Sequence, residues 1–175
     1  MSLVVNGSLS AYDRGASHFA VVVKEMAPAE IINIMIDVTN VGIDLSHFYI
    51  VLKNIESVEM RSFFGSTFNP GTGVPCACGP RNNFNIKPSN FDVSYNPTGY
   101  VAGVEAPLSP ILVQAQSDSG SRHYIKDDVF SLSEGRNPLG IAGPIVQSLE
   151  IEHTGLQTGI LQVEINAWSR GKTFD

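Results

Sequence analysis

Residues 31–39 read Ile-Ile-Asn-Ile-Met-Ile-Asp-Val-Thr. Ile32, Ile34, Ile36 and Val38 alternate with Asn33, Met35, Asp37 and Thr39, and Asn40-Val41-Gly42 then turns the chain. A period of two puts successive side chains on opposite faces of an extended strand, so this run predicts a strand with one buried face. The run before it repeats the pattern. Phe19, Val21 and Val23 alternate with His18, Ala20, Val22 and Lys24, and Pro28 ends it. The Phe19 set is expected to face the core, and the two runs are expected to pair antiparallel.

A second Ser-His-Phe begins at Ser46. As a strand it turns Phe48, Ile50 and Leu52 inward. As a helix capped by Ser46 it gathers Phe48, Val51, Leu52, Ile55 and Val58 on one face. The β-branched density favours a strand through Lys53, with 54–60 a helical turn or a further strand. Strand patterns return at 84–86, 91–95, 100–104 and 111–115, each bounded by Asn-Pro, Thr-Gly or Ser-Pro steps. Turns are expected at 118–120 and 134–140. A last hairpin is expected to set Ile145, Leu149 and Ile151 against Leu161, Val163 and Ile165 across a turn from Thr154 to Gly159. About ten short strands and no long helical pattern predict an all-β fold: an antiparallel β-sandwich, with a jelly roll as its expected form and a barrel as the alternative. At 175 residues the chain is long enough for one real core. The expected organisation is one domain over 1–175, with an N-terminal arm at 1–15 and a C-terminal tail at 169–175.

Gly65 to Asn83 is expected to be a long Gly/Pro-rich loop. It holds Asn69-Pro70-Gly71-Thr72-Gly73, Val74-Pro75 and Cys78-Gly79-Pro80, and no regular element is expected to survive there. Long loops on compact domains often carry interactions, so this one is expected to act in assembly, and shortening it to leave the monomer folded. The plainer reading is cover for a sheet edge. Cys76 and Cys78 are read as two reduced thiols in this loop, with a disulfide to a neighbouring subunit as the alternative. Cys-x-Cys is neither the usual zinc spacing nor a redox Cys-x-x-Cys.

Charge and composition narrow the function. Charged residues are 16% of the chain and the net charge is −6. A surface made of amides, hydroxyls and glycine costs less to desolvate than an ionic one, which suits extensive contact. No Lys/Arg cluster offers the basic stripe that phosphate backbones require, so no direct nucleic-acid binding is expected. No apolar run approaches the ~20 residues of a membrane helix, and the first residues do not read as a signal peptide, so no membrane role is expected.

Chemistry-bearing motifs are sparse. Gly71-Thr72-Gly73 lacks the rest of a dinucleotide fingerprint, and Pro75 blocks a following helix. Asp127, Asp128 and Glu134 lack the alternation of a calcium loop. Glu150, Glu152 and Glu164 are expected on outward faces, where two could approach as a glycosidase pair but read more simply as solvated carboxylates. Ser17-His18 and Ser46-His47 are strand neighbours, so each Ser points away from its His. His18 and His47 each precede a Lys by six residues, Lys24 and Lys53, at the same phase. These four are expected to form one continuous interaction patch on neighbouring strands, and Pro75, Cys76, Cys78 and Arg81 a second contact surface on the loop. A three-histidine metal site from His18, His47 and His123 is the weaker reading, since no closely spaced His-x-His with Glu accompanies it. No catalytic set, metal or cofactor is expected.

The profile resembles structural proteins of virions as a class: capsid jelly rolls, capsid-decorating cement proteins and tail components. The resemblance implies a non-enzymatic assembly protein, a cement or minor capsid protein that binds itself or a major capsid protein, made in a host cytoplasm and carried in the virion. Outside a virion it is expected to be cytoplasmic. The alternatives are a carbohydrate-binding β-sandwich module, for which Tyr95, Tyr100, Tyr124 and Trp168 are the available aromatics, and a metal-dependent β-barrel enzyme.

Overall fold

The computed structural model describes residues 17–37, 43–80, 92–106, 109–115, 121–126 and 146–169; at 17–18, 43–48, 78–80, 121–126 and 166–169 it describes the backbone alone. Every regular element among these residues is a strand: β1 (Ser17–Met26), β2 (Ile31–Asp37), β3 (Ile43–Lys53), β4 (Ser57–Phe64), β5 (Val74–Pro75), β6 (Ala77–Pro80), β7 (Asp92–Tyr95), β8 (Val104–Glu105), β9 (Ile111–Gln114), β10 (Ser121–Lys126), β11 (Gln147–His153) and β12 (Gly159–Ser169). All pairings are antiparallel. The first sheet has the order β10-β3-β12-β1-β6. The second runs β5-β7-β2-β11-β4-β8, and β9 also pairs with β4.

The pairings nest. β1 lies on β12, β2 on β11, β3 on β10 and β4 on β9. The first half of the chain therefore meets the second half in reverse order, as in one long hairpin. Two further pairings, β3 with β12 and β4 with β11, join these pairs into sheets. The expected β1–β2 ladder is absent, because β1 belongs to the first sheet and β2 to the second. The last hairpin fails in the same way: β11 and β12 lie in different sheets. Short connections at 27–30, 54–56 and 154–158 cross between sheets instead of turning within one. A period of two reveals a buried face but not whether the next strand lies about 4.8 Å away beside it or about 10 Å away across a core.

That core is a single cluster drawn from both sheets. Ala20, Val22, Ile50, Leu52, Leu161 and Val163 come from the first, and Ile32, Ile34, Ile36, Met60, Phe64 and Leu149 from the second. Each aliphatic side chain this deeply buried contributes on the order of 1.5–3 kcal/mol. The expected inward faces of β2 and β3 are observed at Ile32, Ile34 and Ile36 and at Ile50 and Leu52, with Val38 and the Phe48 side chain outside the described residues, whereas that of β1 is inverted. Ala20, Val22 and Met26 are buried, and Val23 is 56% exposed. Register decides the matter: Ala20, Val22 and Lys24 pair with Ile165, Val163 and Leu161, the buried set of β12. Both faces of β1 are apolar, so its sequence alone does not distinguish them.

The expected loop at 65–83 holds two strands. β5 adds to β7 at one edge of the second sheet, and β6 adds to β1 at one edge of the first. Pro75 and Pro80 suit these places, since an edge strand can spare a donor. Cys76 lies between the two strands. It packs against the core, and its N–H donates to the Val93 carbonyl at 2.9 Å. The segment laces the sheets together at one side, so it is part of the fold. The strand expected at 100–104 shortens to β8 and an isolated Val101–Thr67 bridge, while 57–64 is a strand. The expectations for 84–86, 118–120, 134–140 and both termini lie outside the described residues.

Candidate functional site

The outer faces of the two sheets differ. On the second sheet, Met35, Ser148 and Phe63 form one register row on the side away from the core, yet all three are buried. Residues 65–73 and 96–106 fold over them. Ser66 and Ser148 share a hydroxyl hydrogen bond of 2.6 Å, the Tyr100 hydroxyl lies 3.2 Å from Ser148 Oγ, and the Gly103 N–H donates to Ser66 Oγ at 3.0 Å. Burial first, and the nearby Glu150 carboxylate, push the Tyr100 hydroxyl above its ordinary pKa, although its hydrogen bonds pull the other way. The flap lies so close that a Cβ at Gly103 would collide with the Phe64 carbonyl. Backbone against backbone cannot yield, which is why glycine stands there.

The outer face of the first sheet is half-exposed or exposed at every described position. Its rows are Val21–Glu164–Tyr49, Val23–Gln162–Val51 and Glu25–Ile160–Lys53. Apolar residues predominate, with Val23 and Ile160 well exposed. Polar groups are spaced among them, and the Gln162 amide donates to Glu164 Oε1 at 2.8 Å. Such a surface is neither a core nor an ionic face.

The expected His/Lys patch is not continuous. β12 lies between β1 and β3, so the two strands are not neighbours. Lys24 pairs with the buried Leu161, and Lys53 with the exposed Ile160, which puts the two lysines in opposite phases. Lys53 is exposed on the outer face. Lys24 Nζ instead bonds Glu30 Oε1 at 2.9 Å and the Glu25 carbonyl at 2.7 Å. His18 pairs with Ala167 and Pro80, His47 with Asn166 and Lys126, and His123 with Ile50. The side chains of His18, His47, His123 and Cys78, and Arg81 as a whole, lie outside the described residues. Pro75 is exposed in β5, and Cys76 is half-buried beside it.

Glu150 and Glu152 lie on β11 and Glu164 on β12, the outer faces of opposite sheets, so Glu164 does not join them. Glu150 sits between Asn33 and Arg61 in register. Arg61 is held by Glu59 at 2.9 Å, and that bond and charge raise its pKa. Among the described residues, no group of three or more His, Cys, Asp or Glu could hold a metal ion. No helix among them is long and apolar enough to cross a membrane.

Sequence reasoning did not single out two features. One is a concavity lined by Asp37, Asp92, Ser94, Phe68 and the Gly71 and Gly73 backbone, with Asp37 and Asp92 directly opposite in register. Like charges facing across a ladder cost stability. The other is the fourth histidine. His153 is buried, accepts from the Gly155 N–H at Nδ1 (3.0 Å) and faces the Gln157 carbonyl at Nε2 (2.8 Å), which fixes the 154–158 turn. The Gly-rich turn after His153 was the only sequence signal for it.

Glu30 ties the neighbouring 27–30 turn. Its carboxylate accepts from the Ala27 N–H at 2.9 Å and binds Lys24. These contacts, the Ala27 bond foremost, hold its pKa below the ordinary carboxylate value. A depressed acid contributes stability that is present above its unfolded-state pKa and is lost as pH falls through the folded value. Glu30→Gln is therefore expected to lower the unfolding free energy measured in urea at neutral pH, by about 1 kcal/mol or less for so exposed a pair. The deficit should close in acid. A deficit of equal size at every pH would assign the loss to packing instead.

No family model, curated protein or solved structure matches the chain.

Proposed function

We propose that this chain is a non-enzymatic assembly protein, a virion component of the cement or minor capsid kind, built as one jelly-roll sandwich domain. It binds copies of itself or a major capsid protein, without nucleic acid, membrane or cofactor. The nested pairs support the jelly-roll reading. β10-β3-β12-β1 and β2-β11-β4-β9 are the two four-stranded sheets that a rolled hairpin makes, and the double-sheet jelly roll is an architecture of capsid domains. β5, β6, β7 and β8 then form an insertion between the fourth and fifth strands of the roll. Jelly rolls also serve lectins and cupins, so the fold alone does not select a function.

The observation that carries the assembly reading is the outer face of the first sheet. Val21, Val23, Val51, Tyr49 and Ile160 remain half-exposed or exposed there, whereas on the second sheet the apolar row of Met35 and Phe63 is covered by the chain's own flap. A surface that mixes apolar with polar and charged side chains is the composition of contacts between proteins that also fold alone. Light scattering of the purified chain, alone and co-expressed with its neighbouring structural proteins, is expected to give a mass above one chain. Val51→Lys with Ile160→Lys is expected to return the mass to that of a monomer while leaving circular dichroism unchanged. A monomer under every condition, with no partner retained, would remove the proposal.

A carbohydrate-binding reading is favoured by the Asp37/Asp92 concavity, where two carboxylates and the Ser94 hydroxyl face Phe68. Glycan binding that is lost in Asp92→Asn, with the mass unchanged, would select it.

A further inference from the structure

The outer edge of β1 is only half closed. β6 pairs with His18–Val21 and ends where the chain departs at Cys76 for the second sheet. From Val22 to Met26, no strand lies beside β1 on that side among the described residues. The Glu25 carbonyl is met by the Lys24 ammonium at 2.7 Å. Lysine is a common guard of open edges, because its flexible stem can withdraw. Alongside runs a groove of about 410 Å³ lined by Val22, Val23, Val74, Cys76, Ala77 and Tyr95. Cys76 and Tyr95 also pack against the core, so the groove opens on the seam between the sheets.

We propose that this edge accepts an added strand, and that the strand is the segment 2–12 of a second copy of the chain. The inference rests on the assembly reading above and adds to its outer face a second contact at the strand edge. An open edge offers backbone donors and acceptors in strand spacing, so the ligand is extended. The groove lining carries no charge, so the ligand is uncharged and apolar at alternate positions. Residues 2–12, Ser-Leu-Val-Val-Asn-Gly-Ser-Leu-Ser-Ala-Tyr, contain neither charge nor proline, and Asp13 is the first ionisable side chain after them. Sixteen residues precede Ser17, a reach of up to about 50 Å, whereas the open edge is about 17 Å long. The second copy is favoured because β6 occupies the edge between Ser17 and the open positions. A segment of the same chain would have to pass around β6. A segment from a neighbour meets no such obstacle.

The test is complementation between two full-length variants. Val74→Asp spoils the receiving groove at an exposed position away from the outer face of the first sheet, and Leu3→Asp with Val5→Asp spoils the donated strand. Each alone is expected to weaken self-association by more than about tenfold in sedimentation equilibrium, since an unpaired carboxylate must be desolvated at the contact. An equimolar mixture is expected to recover association, because one partner keeps an intact edge and the other an intact strand. A mixture that recovers nothing would overturn exchange between copies. Variants that associate as well as the parent would overturn the strand proposal and leave the assembly reading standing. A parent that is monomeric and retains no partner would remove both.

Discussion

Phe64→Ala is expected to destabilise the fold by about 3–5 kcal/mol, a large share of the roughly 5–15 kcal/mol that holds a domain together. Phe64 is 1% exposed at the end of β4 and stands in one register row with Gln147 and Ile36. It touches the shared core on one side, while its backbone bears the Gly103 flap on the other. The cavity left by alanine cannot collapse easily, because β8 and β11 both pair with β4 at this point. Urea denaturation with Leu156→Ala as the control separates this from a general sensitivity. Leu156 is 83% exposed, and its loss is expected to change stability by about 0.5 kcal/mol or less. Equal midpoint shifts for the two variants would show that the core does not centre on Phe64.

Replacing 74–80 by a Gly/Ser segment of equal length is expected to cost about 2–4 kcal/mol and to make the protein aggregate. The replacement removes β5 and β6, which lie on the edges of β7 and β1, and takes away the Cys76 packing and its bond to Val93. Two uncovered edges of opposite sheets then share one side of the molecule. Urea midpoints report the first effect, and light scattering over time the second. A monodisperse variant with the parent's midpoint would return the segment to a mere connection, and the lacing role would fall. The two ladders thus argue against the expectation from composition, under which shortening the region leaves the monomer folded, and the urea midpoint decides between them.

Particular residues show how far the sequence carried the fold. The alternation of Ile32, Ile34 and Ile36 identified a buried face correctly, because Asn33 and Asp37 marked the other side. For β1 the same reasoning failed. Val21 and Val23 are as apolar as Ala20 and Val22, and only pairing with Leu161, Val163 and Ile165 chose between them. That inversion separated Lys24 from Lys53, and with them the patch that their common spacing had suggested. Lys24 was drawn to Glu30 by a turn, a partner six residues away that the strand pattern does not reveal.

Local chemistry therefore determined the class of the fold. A period of two, broken every few residues by proline, glycine and asparagine, excludes long helices and calls for short antiparallel strands. Tertiary structure decided which strands became neighbours. Connections of three to five residues suit either a turn within a sheet or a crossing between sheets, and the burial of one shared core selected the crossing. The pairing of β1 with β12 joins positions nearly a chain length apart. No local pattern encodes such a contact, because its stabilisation comes from surfaces that meet only when the whole chain has closed.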